Sequence, residues 1–160
     1  MESYGNVYRM GDKTMTNPGG PKALPLALFL MRVSIFMVFF MWTLDKFIRP
    51  DHAGRVYQSF YFMPALGAIV FYIIGAVEML ILAGFVLGLA KRLTYGAVLI
   101  FHLISTLSTF RQYLTPFENV NLLFYAAWPM LAACFAVYAL RNYDTMGNLS
   151  RKHYPAASRT

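Results

Sequence analysis

The sequence predicts an all-α membrane protein, a four-transmembrane-helix bundle with both termini cytoplasmic. Three observations lead there. Of its 160 residues, 58% are hydrophobic and only 13% charged, against about 25% charged in a soluble domain. Apolar stretches recur along the chain, each long enough at about 1.5 Å per residue to cross a hydrocarbon core of about 30 Å. Between them lie prolines and basic residues, which end helices and anchor them at the headgroups.

The chain divides into a polar tail over 1–22, a transmembrane domain over 23–141 and a polar, basic tail over 142–160. Residues 1–22 and 148–160 bury too little apolar surface to order themselves alone, and the chain from Arg141 onward is expected to be frayed. The first span is expected over about 24–47, with Pro25 in its first turn, where a missing N–H does no harm. Arg32, Phe39, Trp42/Thr43 and Lys46 share one face of it. Pro50 ends that helix. Residues 51–63 carry Tyr57, Phe60, Tyr61 and Phe62, which suits either a short interfacial helix or a loop with an aromatic belt.

A second span is expected over about 65–90, apolar or small throughout except for Glu78. Gly84 and Gly88 form a small-xxx-small pair that permits close helix contact. Lys91-Arg92 makes a tight basic turn into a third span, about 93–113, where His102, Ser105/Thr106, Thr109 and Gln112/Tyr113 recur as a polar stripe. Thr115-Pro116 breaks the chain before a fourth span, about 119–140, in which Pro129 is expected to kink the helix.

The net charge of +7 would suggest nucleic acid in a soluble protein. Here the basic residues flank apolar runs, so they read as topology signals and lipid-headgroup contacts, and no nucleic-acid partner is expected. With both ends inside, nine basic residues fall on the inner side and four on the outer, Lys46, Arg49, Arg55 and Arg111. That asymmetry sets the orientation. The lone Cys134 excludes a disulfide framework and a thiol metal site.

A carboxylate at the depth of Glu78 costs on the order of 3 kcal/mol unless it is paired, protonated or wetted. Counted from the cytoplasmic ends, Arg32 lies about 12 Å in, Glu78 about 18 Å and His102 about 14 Å. Three ionisable residues on three helices at similar depth suggest one intramembrane polar site, Arg32, Glu78 and His102. It would bind a small head group such as a quinone ring, or pass protons. The same three residues would equally serve as a buried network that only fixes helix packing. Asp45, Lys46 and Arg49, with Arg111 and Gln112, form a second polar group at the outer rim, which snorkelling would also explain. A haem is not expected, since His52 and His153 lie in a loop and a tail and give no second axial ligand at matching depth. No P-loop, dinucleotide fingerprint, paired-Cys motif or nucleophile elbow appears, and no metal site is expected.

Over about residues 28–114 the chain resembles the DoxX/DoxD-like family of four-helix membrane proteins. The resemblance rests on Arg32 in the first helix, then Trp42, Lys46, Phe47 and Pro50 in a Trp-x-x-x-Lys-Phe-x-x-Pro segment. Gly75 and Glu78 follow in the second helix, and Gly84, Gly88 and Arg92 at the entry to the third. The last helix departs from the family in lacking a Gly-rich ending and a Ser-Leu-Asp-like tail, of which Tyr143-Asp144 is an echo. The resemblance implies a multi-pass protein of the bacterial or archaeal plasma membrane, linked to redox processes. Its expected setting is a quinone-linked or respiratory complex, with partners supplying the electron-transfer centres and lipid around it. The chain would not be catalytic on its own. The alternatives are a non-catalytic accessory subunit that stabilises a larger membrane complex and a small proton-coupled transporter using Glu78.

Overall fold

In the computed structural model, residues 23–64 and 66–149 are described. They form six α-helices and one 3₁₀ segment, with no strand among them. Helix α1 spans Leu24–Ile48, α2 Pro50–Tyr61, α3 Ala68–Val86 and α4 Lys91–Ser108. Helix α5 is the short Phe110–Leu114, and a 3₁₀ turn over Asn121–Ala126 leads into α6, Ala127–Ala139. By length and composition α1, α3 and the continuous stretch Asn121–Ala139 can each cross a membrane. Their outward residues are apolar: Ile69, Ile73 and Leu80 on α3 are exposed, as are Leu30, Met37 and Met41 on α1. A helix apolar all round is at home in lipid. Helix α4 is the more polar member, because it opens on Lys91-Arg92 and carries His102, Ser105, Thr106 and Ser108.

The interfacial segment is helical. Pro50 sits in the first turn of α2, Asp51 follows where the helix dipole favours a carboxylate, and Phe62 closes α2 in the left-handed region at φ 53°. Three expectations change in detail. The third span does not run unbroken to Tyr113: α4 ends at Ser108, with Thr109 outside helical geometry at ψ 20° before α5 begins. The hydroxyl of Thr109 donates to the Thr106 carbonyl at 2.8 Å and so competes with the helical ladder there. The expected mid-helix kink at Pro129 is instead a change from 3₁₀ to α, with Pro129 in the first turn of α6. A proline there avoids the clash its ring would make with a carbonyl four residues back. Finally, residues 142–149 of the C-terminal tail are tied to the bundle, with Asp144 buried and Leu149 N–H donating to the Leu87 carbonyl at 3.0 Å. The expectations for 1–22 and 150–160 lie outside the described residues.

The apolar core is not central. Leu28, Leu82, Phe85, Tyr95, Val98 and Val137 are all nearly inaccessible, and all lie in the half of the bundle nearest the α3–α4 turn. Close approach there depends on small residues. A Cβ on Gly84 would come 2.8 Å from Thr94 Cγ2, and Gly88 has φ +65°, which suits glycine in the turn. The glycine pair thus serves contacts inside this chain.

Candidate functional site

The structure brings together two of the three residues expected to share an intramembrane site, and it places the third elsewhere. Arg32 and Asp144 form an ion pair at 2.8 Å with both side chains fully buried. The Tyr95 hydroxyl joins it, accepting from Arg32 Nη1 at 2.9 Å and lying 2.7 Å from Asp144 Oδ2. Arg32 also donates to Asn148 Oδ1 at 2.5 Å and to the Met146 carbonyl at 2.6 Å. Lys91 Nζ donates to the Asp144 carbonyl and closes the group from the α3–α4 turn. This centre is a fastener: it pins the C-terminal residues to α1 and α4.

Glu78 pairs with Lys46 at 2.9 Å and accepts from the Thr43 hydroxyl at 3.1 Å. Among the described residues it makes no ion pair with Arg32. The reason lies in helix direction. Arg32 is eight residues from Leu24, and Glu78 eight from Val86, so both backbones sit at about the same depth, ~12 Å from that end. Side chains lean toward the N-terminus of their own helix. Helices α1 and α3 run in opposite directions, so Arg32 reaches toward the α3–α4 turn and Glu78 reaches away from it. Lys46, near the end of α1, leans back toward the membrane centre and meets the carboxylate.

That meeting point is the wall of a cavity of about 490 Å³ between α1, α2, α3, α4 and the 3₁₀–α6 segment. Its apolar wall includes Phe39, Trp42, Phe60, Phe101, Phe124 and Met130. Its polar groups are Thr43, Asp45, Lys46, Tyr57, Tyr61, Glu78, His102, Ser105, Ser108 and Thr109. His102 Nε2 lies 3.0 Å from the Ala127 carbonyl, and its ring meets Phe39 edge-on with centroids 5.9 Å apart. The Glu78 and Lys46 side chains keep 20% and 10% of their exposure, in contrast to the closed Arg32 pair.

Of the outer-rim group, Asp45 and Lys46 face the cavity. Asp45 is also bound by Arg49 and by His52 Nδ1, each at 2.5 Å, so its charge is balanced at the rim. Arg111 is apart from it, lying over the rings of Phe62 and Phe110 at 5.0 and 5.9 Å. Gln112 does not join the group either, and its Oε1 is enclosed without a hydrogen bond.

Sequence reasoning missed Tyr57, whose hydroxyl is pushed well above its usual range by burial, with the Glu78 carboxylate and Tyr61 adding to the effect. It therefore stays a neutral phenol, with its ring 6.0 Å from Lys46 Nζ. The aromatic cluster of residues 51–63 was its only signal. Asp144 was missed as the partner of Arg32 because 112 residues separate them.

No family model, curated protein or solved structure matches this chain.

Proposed function

We propose that this chain is a DoxX-like membrane subunit of a quinone-linked or respiratory redox complex, and that its cavity receives the ring of a quinone-type head group. The cavity carries the reading. It is of ligand size, its walls are largely aromatic and aliphatic, and its few polar groups converge from several helices. Lys46 and Glu78 neutralise each other across its wall, which favours a neutral amphiphile over an ion. In a four-span topology, nine inner against four outer basic residues support both termini in the cytoplasm, and the cavity then lies in the outer half of the bilayer. The likeness to the DoxX/DoxD-like family gains support from Asp144, the echo of that family's tail, which pairs with Arg32, the family-like arginine of the first helix. The sequence has no metal or cofactor motif, so electron-transfer centres belong to a partner in the bacterial or archaeal plasma membrane. Lys46 beside Glu78 disfavours the transporter reading, since a fixed positive charge repels a cationic substrate.

The test is to purify the protein in mild detergent and extract what it carries. The expected result is a bound quinone near one per chain. Val56→Phe, which places a ring in the cavity, should lose it without loss of fold. A preparation with neither quinone nor redox partner would sink the reading.

An accessory, purely structural role draws on a different observation. Leu114, Phe117, Val120, Leu122 and Leu123 are 60–90% exposed along the irregular stretch after α4, an apolar rim suited to contact with a larger assembly. Under that reading Val56→Phe leaves the complex fully active.

A further inference from the structure

We infer that His102 sets the ligand specificity of this cavity, and that the head group it takes is one that donates hydrogen bonds: a dihydroxy aromatic ring in preference to the matching dicarbonyl. The inference rests on the quinone-type reading above and names which redox form the site holds better.

The argument begins with the hydrogen bond from His102 to Ala127. The Ala127 carbonyl can only accept, so Nε2, 3.0 Å away, must carry the proton. In the neutral ring, Nδ1 is then a bare lone pair. Among the described residues Nδ1 has no partner, yet it is not among the enclosed orphan atoms, Arg32 Nε, Gln112 Oε1 and Asp144 Oδ1. His102 is a cavity-lining residue with 8% of its surface left exposed, so this open acceptor faces the cavity. The contact with Ala127 on one side and the edge contact with Phe39 on the other fix the ring. It cannot turn a donor toward a ligand without breaking its bond to the Ala127 carbonyl.

The neighbouring hydroxyls lean the same way. Each has a single proton to give, and Thr43 gives its own to Glu78 at 3.1 Å. Ser108 and Thr109 give theirs to the carbonyls of Ser105 and Thr106, both at 2.8 Å. These oxygens turn lone pairs to the cavity. Lys46 directs protons to Glu78 at 2.9 Å and to the Trp42 carbonyl at 3.4 Å. The Tyr57, Tyr61 and Ser105 hydroxyls are rotors that give or accept as the ligand requires, and the Trp42 indole N–H and the third Lys46 proton are the donors left on the wall. Rotors tolerate either ligand form; an obligate acceptor does not. A carbonyl oxygen against Nδ1 sets lone pair against lone pair, and a site built to receive a hydroxyl proton discriminates strongly against an analogue without one.

Trp42 lines the cavity and Trp128 does not, so a Trp128→Phe protein has one reporter indole at the site. Quenching of its emission would be titrated anaerobically with decylhydroquinone, decylbenzoquinone and decylhydroquinone dimethyl ether. The hydroquinone should bind about tenfold or more tightly than either other ligand. His102→Phe keeps a ring against Phe39 but carries no acceptor in the place of Nδ1, and the gap should close to within about threefold. Equal affinities for the three ligands with His102 present overturn the inference and leave the quinone-type reading standing. A preference that survives His102→Phe undiminished removes His102 from the role. Failure of all three ligands to bind overturns both. The three-ligand comparison stands even if the substituted protein does not fold.

Discussion

At the end of the bundle near the α3–α4 turn, Arg32 and Asp144 are fully buried and hydrogen-bonded to Tyr95 and Asn148, while Arg32 Nε and Asp144 Oδ1 have no partner among the described residues. At the other end, Lys46 and Glu78 form a pair of nearly the same length on the wall of a 490 Å³ cavity. Both pairs meet the requirement that a charge in an apolar bundle be compensated. They differ in what surrounds them: the apolar core packs around the first, while aromatic side chains stand back from the second. An ionisable residue inside a membrane bundle therefore marks a candidate site only when space remains beside it. Where packing is complete, the same chemistry is a fastener.

The sharpest test of that contrast is to break the closed pair. Asp144→Asn leaves the Arg32 guanidinium buried without its counter-charge, and Arg32→Met does the converse. Each should cost about 3–5 kcal/mol, the scale for one partner lost from a buried pair. Replacing both, Arg32→Met with Asp144→Leu, should recover much of the loss. Unfolding in detergent measures all three. If the double substitution were as harmful as the sum of the singles, the pairing would not be what secures the C-terminal residues.

Opening the other pair should do less. Glu78→Gln leaves Lys46 free to extend its ammonium toward the headgroups, so a loss of about 1–2 kcal/mol is expected, between exposed and buried pairs. Combined with Arg32→Gln, the two losses should add to within about 0.5 kcal/mol, because the centres share no partner. Strong non-additivity in that combination would show that the two ends are coupled after all.

Much of the fold was readable from the chain. Prolines at 25, 50 and 116 and the basic turn at 91–92 mark element ends in both sequence and structure, since backbone restriction and desolvation act locally. The site was half readable. His102 stands out because its polar stripe has to face other helices, and Glu78 because an isolated carboxylate needs a partner. Which partner was not readable from depth alone. Depth gives the height of a backbone atom, while pairing depends on where a side chain of about 6 Å leans, and that reverses between antiparallel helices. The C-terminal residues were misjudged for a related cause. Composition sees 142–149 as polar and weakly hydrophobic, and cannot see that one aspartate there answers an arginine more than a hundred residues earlier.

The mildest substitutions probe the same contrast by adding one methyl group at each end. Gly54 lies inside α2 at the end of the bundle that holds the cavity, and a Cβ there would meet Phe71 Cε2 at 3.5 Å, an ordinary van der Waals distance. Helix propensity then decides the sign, so Gly54→Ala should stabilise by up to about 0.5–1 kcal/mol. Gly84 lies inside α3 at the packed end, and its Cβ would come 2.8 Å from Thr94 Cγ2. The hydroxyl of Thr94 is held by the Leu89 carbonyl at 2.8 Å, so that side chain cannot turn aside freely. Gly84→Ala should gain the same propensity and still lose about 1–2 kcal/mol overall through overpacking. Paired unfolding measurements on the two variants isolate packing from propensity, because both change glycine to alanine inside a helix. Two stabilised proteins would mean that the α3–α4 contact has slack, and that the packed end is no tighter than the end that holds the cavity.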